Sequence, residues 1–199
     1  MKIGIVGASI CDLKLDPNQP YVAIDGGLQT LINQHIEPIA IIGDFDSLEN
    51  HDLLKQYDPV VLPCIKDDTD LAKGIDYALK NKYNEINLFG VTNGRLDHFF
   101  AVMCLLIRFR EHSIYIYDAQ NKIYLLTQGT YTITKDHYKY LSFFAVNETQ
   151  LSIDGCFYPL KDYHLTNSDP LCVSNEILDN EAIISTSGDL IVVQSNNKE

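Results

Sequence analysis

The chain has 199 residues, 46% of them hydrophobic, and a formal net charge of -12, a composition that supports a packed, soluble core of one domain or two small ones. With 15 lysines and arginines against 27 aspartates and glutamates, it lacks the clustered cations that a nucleic-acid backbone requires, so no nucleic acid is expected and an anionic ligand needs a metal cation beside it. No apolar run reaches membrane-spanning length, the opening Met1 to Gly7 is too short and glycine-interrupted for a signal sequence, and Cys11, Cys64, Cys104, Cys156 and Cys172 include no C-x-x-C pair; no membrane association, zinc site or disulfide framework is expected, and the location that fits is the reducing cytoplasm.

Up to about residue 120, strand-like and helix-like segments alternate. The expected strands are Ile3 to Val6, Tyr21 to Ile24, Ile39 to Ile42, Val60 to Leu62, Ile86 to Phe89 and Ile114 to Tyr117. The best-defined helices are 28–35, 70–81 and 96–110, the last with Leu96, Phe99, Phe100, Met103, Leu106 and Ile107 on one face. Alternation of this kind implies an α/β domain with a doubly wound parallel sheet. Beyond residue 122 the pattern turns to short segments rich in Tyr, Ile, Thr and Val: Lys122 to Leu126, Tyr131 to Thr134, Tyr140 to Val146, Gln150 to Ile153, Ala182 to Ser185 and Leu190 to Val193. That is the pattern of an antiparallel β-sandwich. A short hinge near Asp118 to Asn121 divides a domain over 1–120 from one over 121–199.

Two acidic motifs stand at the edges of the N-terminal elements. Gly43-Asp44-Phe45-Asp46-Ser47 follows the apolar run Ile39-Ala40-Ile41-Ile42, and Asp67-Asp68-Thr69-Asp70 precedes the helix whose face carries Leu71, Ala72, Ile75, Ala78 and Leu79. Carboxylates at the end of a buried strand face a ligand crevice. Taken singly, Asp67 or Thr69 is an ordinary helix cap, and Asp46 or Ser47 an ordinary turn residue. Together, Asp44, Asp46, Asp67 and Asp70 supply the hard oxygen ligands that magnesium takes while leaving positions for substrate phosphates. Carboxylates gathered without a cation are costly.

Asp25-Gly26-Gly27 closes the second strand, offering either free amides or simply a tight turn. Gly90-Val91-Thr92-Asn93-Gly94-Arg95-Leu96-Asp97-His98 brings an arginine to the start of a long helix, where it can cradle an anion or pair with Asp97 on the surface. His98 reads as a structural residue. Tyr115, Tyr117, Tyr138, Tyr140 and Tyr163 read as strand packing. Ser174-Asn175 reads as turn chemistry.

In chain order, Asp25-Gly26-Gly27, Gly43-Asp44-Phe45-Asp46-Ser47, Lys66-Asp67-Asp68-Thr69-Asp70, Gly94-Arg95-Leu96-Asp97-His98 and Val173-Ser174-Asn175-Glu176 resemble the thiamine pyrophosphokinase family. The resemblance spans nearly the whole chain and implies an ATP- and magnesium-binding catalytic domain over 1–120 and a thiamine-binding, dimerising β-sandwich over 121–199. It implies a homodimer with thiamine bound between the nucleotide domain of one subunit and the sandwich of the other. The activity implied is transfer of the diphosphate of ATP to the hydroxyl of thiamine. In that reading magnesium sits on Asp44, Asp46 and Asp70, and Asp67 adds a metal contact or accepts the hydroxyl proton. Arg95, the amides around Gly94 and Lys66 hold the phosphates, and Asp25, Gly26, Gly27, Ser47, Thr69 and Asn93 border the nucleotide. Asp97, Tyr158, Ser174 and Asn175 contact thiamine. Asn93 stands where the family commonly has glycine, and Gly155-Cys156-Phe157-Tyr158 replaces its glycine-leucine-lysine-aromatic segment. The alternatives are a non-catalytic thiamine or nucleotide sensor and a magnesium-dependent nucleotide hydrolase. A dinucleotide oxidoreductase is disfavoured because no G-x-G-x-x-G follows the first strand.

Overall fold

Runs of isoleucine, valine and leucine without polar interruption belong in a sheet covered on both faces. The computed structural model, which describes residues 1–9, 11–43, 60–61 and 68–197, with 60–61 as backbone only, has such a sheet. The strands β1 (Lys2–Val6), β2 (Tyr21–Ile24), β3 (Ala40–Gly43), β4 (Val60–Val61), β5 (Glu85–Phe89) and β6 (Ser113–Tyr117) pair in parallel in the order β4-β3-β2-β1-β5-β6. Ile3, Ile5 and Val6 of β1 and Ile86 and Leu88 of β5 are buried, each such side chain contributing about 1.5–3 kcal/mol when fully enclosed. The chain winds outward from β1 to β4 and then returns to place β5 on the other side of β1. The carboxyl ends of β1 and β5 therefore flank the point where winding reverses, which is where open α/β sheets bind ligands.

Three helices accompany these strands: α1 (Gly27–Asn33), α2 (Asp70–Lys80) and α3 (Leu96–Arg108). Helix α2 buries Ala72, Gly74, Ile75 and Ala78, the face its spacing predicts. Helix α3 departs from expectation. Its buried residues are Val102, Leu105 and Leu106, whereas Leu96 and Phe100, expected on the packed face, are exposed at 72% and 66%. The helix is apolar around more than one face, so periodicity does not select which stripe packs.

The second set of strands is antiparallel. These are β7 (Asn121–Leu126), β8 (Gly129–Thr134), β9 (Tyr140–Ala145), β10 (Thr149–Asp154), β11 (Leu160–Leu165), β12 (Glu181–Thr186) and β13 (Leu190–Ser195). They run β7-β13-β9 and β11-β10-β12-β8. Period-two burial sets one face of each inward: Leu190, Val192 and Gln194 on β13, and Ala182, Ile184 and Thr186 on β12. Strand β11 was not expected. Its sequence Leu-Lys-Asp-Tyr-His-Leu is largely exposed, it lies at a sheet edge, and its register against β10 shifts between Leu151 and Ile153. A bulged edge strand is paired on one side only and carries no alternation to read.

By internal contacts the chain forms two compact units, Met1–Leu105 with His112–Ala119 and Leu106–Glu111 with Gln120–Glu199. Among the described residues no helix is long and apolar enough to cross a membrane.

Candidate active site

The backbone after β1 is stitched to that after β5. The Gly7 amide donates to the Phe89 carbonyl at 2.8 Å and the Ser9 amide to the Gly90 carbonyl at 2.9 Å. Gly90 has φ +62°, and a Cβ there would come within 2.8 Å of the carbonyl oxygens of Gly7 and Ser9, so both its conformation and its surroundings demand glycine. Gly27 is demanded by proximity, because a Cβ on it would lie 1.9 Å from the Val6 carbonyl oxygen. Helix α1 thus starts directly against the end of β1. A crevice of about 400 Å³ opens here, lined by Gly7, Ser9, Asp25, Asp70, Gly90 and His98, with Val102 and Leu105 on its apolar side.

Asp25 adopts a left-handed backbone, φ +46°, a conformation that costs a non-glycine residue about 1–3 kcal/mol and persists where its surroundings impose it. Its amide donates to the Ile42 carbonyl at 3.1 Å. Its Oδ1 occupies the space a Cβ would take on Gly43, 1.9 Å from that position. The Asp25 carboxylate therefore stands against Gly43 at the end of β3. Across the crevice, Thr69 caps α2, its hydroxyl accepting from the Ala72 amide at 3.2 Å, while Asp68 accepts from the Thr69 amide at 2.9 Å. The capping alternative holds for Thr69. Asp70 is then the first residue of α2, where the helix dipole favours a carboxylate.

Arg95 meets Asp97 through two donated hydrogen bonds, from Nε at 3.1 Å and from Nη2. Hydrogen bonding from Arg95 holds the Asp97 carboxyl below the usual carboxylate range, and the His98 amide adds to the effect. Both side chains are exposed. An exposed ion pair is weakly held, so a phosphate can take Arg95 from Asp97 at little cost. Gly94 beside it has φ +100°, Asn93 is exposed, and Gly26 precedes α1 as its cap.

Asp44, Asp46, Ser47, Lys66 and Asp67 lie outside the described residues. Among the described residues no group of three or more histidines, cysteines, aspartates or glutamates is gathered for a metal. Asp25 and Asp70 do line one crevice, and their oxygen donors have the hard character that magnesium requires.

The second unit holds an apolar hollow of about 480 Å³, bordered by Ile153, Phe157, Tyr158, Leu171, Val173 and Asn175. Phe157 and Tyr158 meet edge to face, centroids 5.0 Å apart at 77°. Asp169 organises the loop before Leu171, accepting from the Tyr163 hydroxyl at 2.6 Å and from the Leu171 amide at 2.9 Å. Tyr163 is thus more than packing, and its hydrogen bond holds Asp169 below the ordinary carboxylate range. Cys172 borders the hollow, and burial pushes its thiol up to about 11. Ser174 takes a left-handed backbone, φ +56°, its amide donating to the buried Ser142 hydroxyl at 2.9 Å. Of the expected thiamine contacts, Asp97 belongs to the first unit, and Tyr158, Ser174 and Asn175 to the second.

Sequence reasoning did not single out Ser9, Val102 or Leu105 in the crevice, nor Leu171 at the hollow, and it named Gly90, Phe157 and Val173 within motifs without giving them a role of their own. The signal for Ser9 and Gly90 was the order of strands, since they lie in the connections that follow the two flanking the reversal. For Leu171 and Val173 it was apolar residues spaced by one in an otherwise polar loop. His98, read as structural, borders the crevice and is exposed.

The profile described as the catalytic domain of thiamin pyrophosphokinase matches residues 12–117, and that of its vitamin B1 binding domain matches residues 130–191. The chain is 35% identical over 190 residues to the thiamine pyrophosphokinase of Bacillus subtilis strain 168, covering 90% of this chain and 89% of that protein. The crystal structure of a thiamine pyrophosphokinase from Bacillus subtilis superposes with a TM-score of 0.90 at 31% identity, covering all of both chains. That of a thiamin pyrophosphokinase from Geobacillus thermodenitrificans gives 0.89 at 35% identity, covering 100% of this chain and 99% of that one.

Proposed function

The chain belongs to the thiamin pyrophosphokinase family, and from that premise we infer that it transfers the terminal diphosphate of ATP to the hydroxyethyl oxygen of thiamine, releasing AMP. The observation that carries this reading is the presence of both domain matches in family order, each over a unit that contains a pocket. The enzyme is a thiamine diphosphokinase.

In this reading the crevice between β1 and β5 receives the nucleotide phosphates. Asp25, Gly26 and Gly27 border the nucleotide, with Ser47, Thr69 and Asn93 near it. Asp44, Asp46 and Asp70 would hold a magnesium ion, which when bound would supply charge neutralisation at the phosphate oxygens. Arg95 leaves Asp97 to grip phosphate, aided by the Gly94 amide and Lys66, because this transfer depends mainly on alignment and electrostatic stabilisation. Asp67 accepts the thiamine hydroxyl proton or adds a metal contact. The second unit receives the vitamin, with Tyr158 offering an aromatic face to the aminopyrimidine and Ser174 and Asp97 polar contacts at its edge.

The protein acts in the cytoplasm as a homodimer, thiamine lying between one subunit's nucleotide unit and its partner's sandwich. Supporting this, Phe157, Tyr158, Leu171, Val173 and Leu178 of the second unit are all exposed, a density of apolar side chains that marks an interaction surface. Sedimentation is expected to give twice the chain mass.

The test is AMP formation from ATP and magnesium, with and without thiamine, while the vitamin product is followed by mass. Thiamine-dependent AMP with equimolar thiamine diphosphate is expected. AMP or ADP without thiamine indicates a hydrolase, and thiamine binding without turnover a sensor.

A further inference from the structure

We propose that Asn175 is a positioning residue that fixes the backbone of Tyr158, and with it the Phe157 and Tyr158 ring pair, rather than a residue that spends its amide on thiamine. The proposal rests on the reading that Tyr158 faces the vitamin and deepens it.

Asn175 is 5% exposed. Its Oδ1 accepts from the Tyr158 amide at 2.9 Å and from the Glu176 amide at 3.0 Å, and its Nδ2 donates to the Tyr158 carbonyl at 2.8 Å. Two N–H groups on the oxygen and a carbonyl on the nitrogen fix the amide's orientation, since the flipped form would set donors against donors. Both acceptor positions are filled, and one N–H remains. The main chain of the same residue is engaged on its other side, with reciprocal hydrogen bonds to Leu141 of β9 at 2.8 and 3.0 Å.

Residue 175 therefore joins β9 to the segment that carries the rings. That segment lies along residues 176–178: the Phe157 amide donates to the Glu176 carbonyl at 2.9 Å, Cys156 bridges Ile177, and the Leu178 amide donates to the Gly155 carbonyl at 3.0 Å. At Tyr158 the partner is the Asn175 side chain, whose amide imitates one more peptide of the ladder. The left-handed Ser174, held by Ser142, sets the start of this arrangement. What it supports is two rings exposed at 62% and 63%. Rings that must stack on a planar ligand bind better when their backbone is already ordered, because less freedom is lost on binding.

The chain contains no tryptophan, so Tyr158→Trp creates a single fluorescent reporter at the ring itself. With Asn175 intact, thiamine is expected to alter its emission. Adding Asn175→Asp keeps the acceptor but sets a carboxylate against the Tyr158 carbonyl. The reporter's anisotropy is then expected to fall and thiamine affinity to drop about tenfold, as for lost buried hydrogen bonds, with ATP affinity unchanged. Lowering the pH until the new carboxyl protonates restores a donor and is expected to recover the anisotropy. In the chain lacking the reporter, Asn175→Asp is expected to weaken thiamine about tenfold beside Tyr158 but less than about twofold beside Tyr158→Ala, the non-additivity of residues acting as one unit. Asn175→Ala, which removes the amide without adding charge, is expected to show the same coupling. Additive losses, or unchanged anisotropy, overturn the proposal and make Asn175 a direct contact. A reporter silent to thiamine with Asn175 intact overturns the assignment of Tyr158 and the proposal with it, an outcome distinct from the other two.

Discussion

The crevice of the first unit and the hollow of the second are built by opposite means. The crevice is a property of strand order: β1 and β5 end side by side, glycines bring main chain close, and Asp25 stands one residue beyond β2 while Asp70 starts α2. The hollow is a property of side-chain hydrogen bonds to loop main chain, where Asn175, Asp169 and Ser142 of β9 place apolar rings and aliphatic groups in the open. The first suits a charged, metal-bound ligand gripped through oxygen and amide groups, and the second a planar organic cation gripped by shape and stacking. Parallel architecture supplies charge geometry from the backbone, whereas the antiparallel unit has to build its recognition surface residue by residue.

The contrast breaks most readily at the carboxylates. Asp70→Asn is expected to lower turnover by about two to three orders of magnitude, because a ligand to the charge that neutralises the phosphates is lost, and added magnesium is expected to recover only part of it in steady-state assays. Near-normal turnover removes Asp70 from the metal site. Arg95→Gln follows, with a loss of about 10–100-fold in kcat/KM for ATP and little change in folding midpoint, since its partnership with Asp97 is exposed. A large fall in the midpoint instead makes the pair structural. Tyr158→Ala is expected to raise the thiamine KM about tenfold while leaving the ATP KM within about twofold. An unchanged thiamine KM takes Tyr158 out of the pocket.

The smallest effect concerns the buried thiols. Burial raises both Cys156 and Cys172 from 9.0 to about 11, so folding favours the protonated thiols. Their contribution is fully present below pH 9 and is lost as pH rises towards 11. Denaturation midpoints are expected to decline over that window with a shallower slope in Cys156→Ala and Cys172→Ala. Equal slopes contradict the assignment.

How much of this was legible in the sequence follows the same division. Strands β1 to β3 were legible because residues buried on both faces are apolar throughout, and the motif ending at Asp70 was legible because a cap, an acidic first turn and an apolar face follow in direct succession. The packed stripe of α3 was not, since Leu96 and Phe100 are as apolar as Val102 and Leu105, and only tertiary contact separates them. Strand β11 was hidden by exposure and a bulge. The role of Asn175 was hidden by distance, its partner Tyr158 lying 17 residues earlier; as a turn residue it was unremarkable, and the family resemblance named it as a contact without disclosing what its amide holds.

The claim that two separately built regions bind two different substrates is tested most directly by calorimetric titration of each substrate alone into Asp70→Asn and Tyr158→Ala. The account predicts that Asp70→Asn weakens magnesium-ATP and keeps thiamine, and that Tyr158→Ala weakens thiamine and keeps magnesium-ATP. Loss of both ligands in both variants, with folding intact, contradicts it.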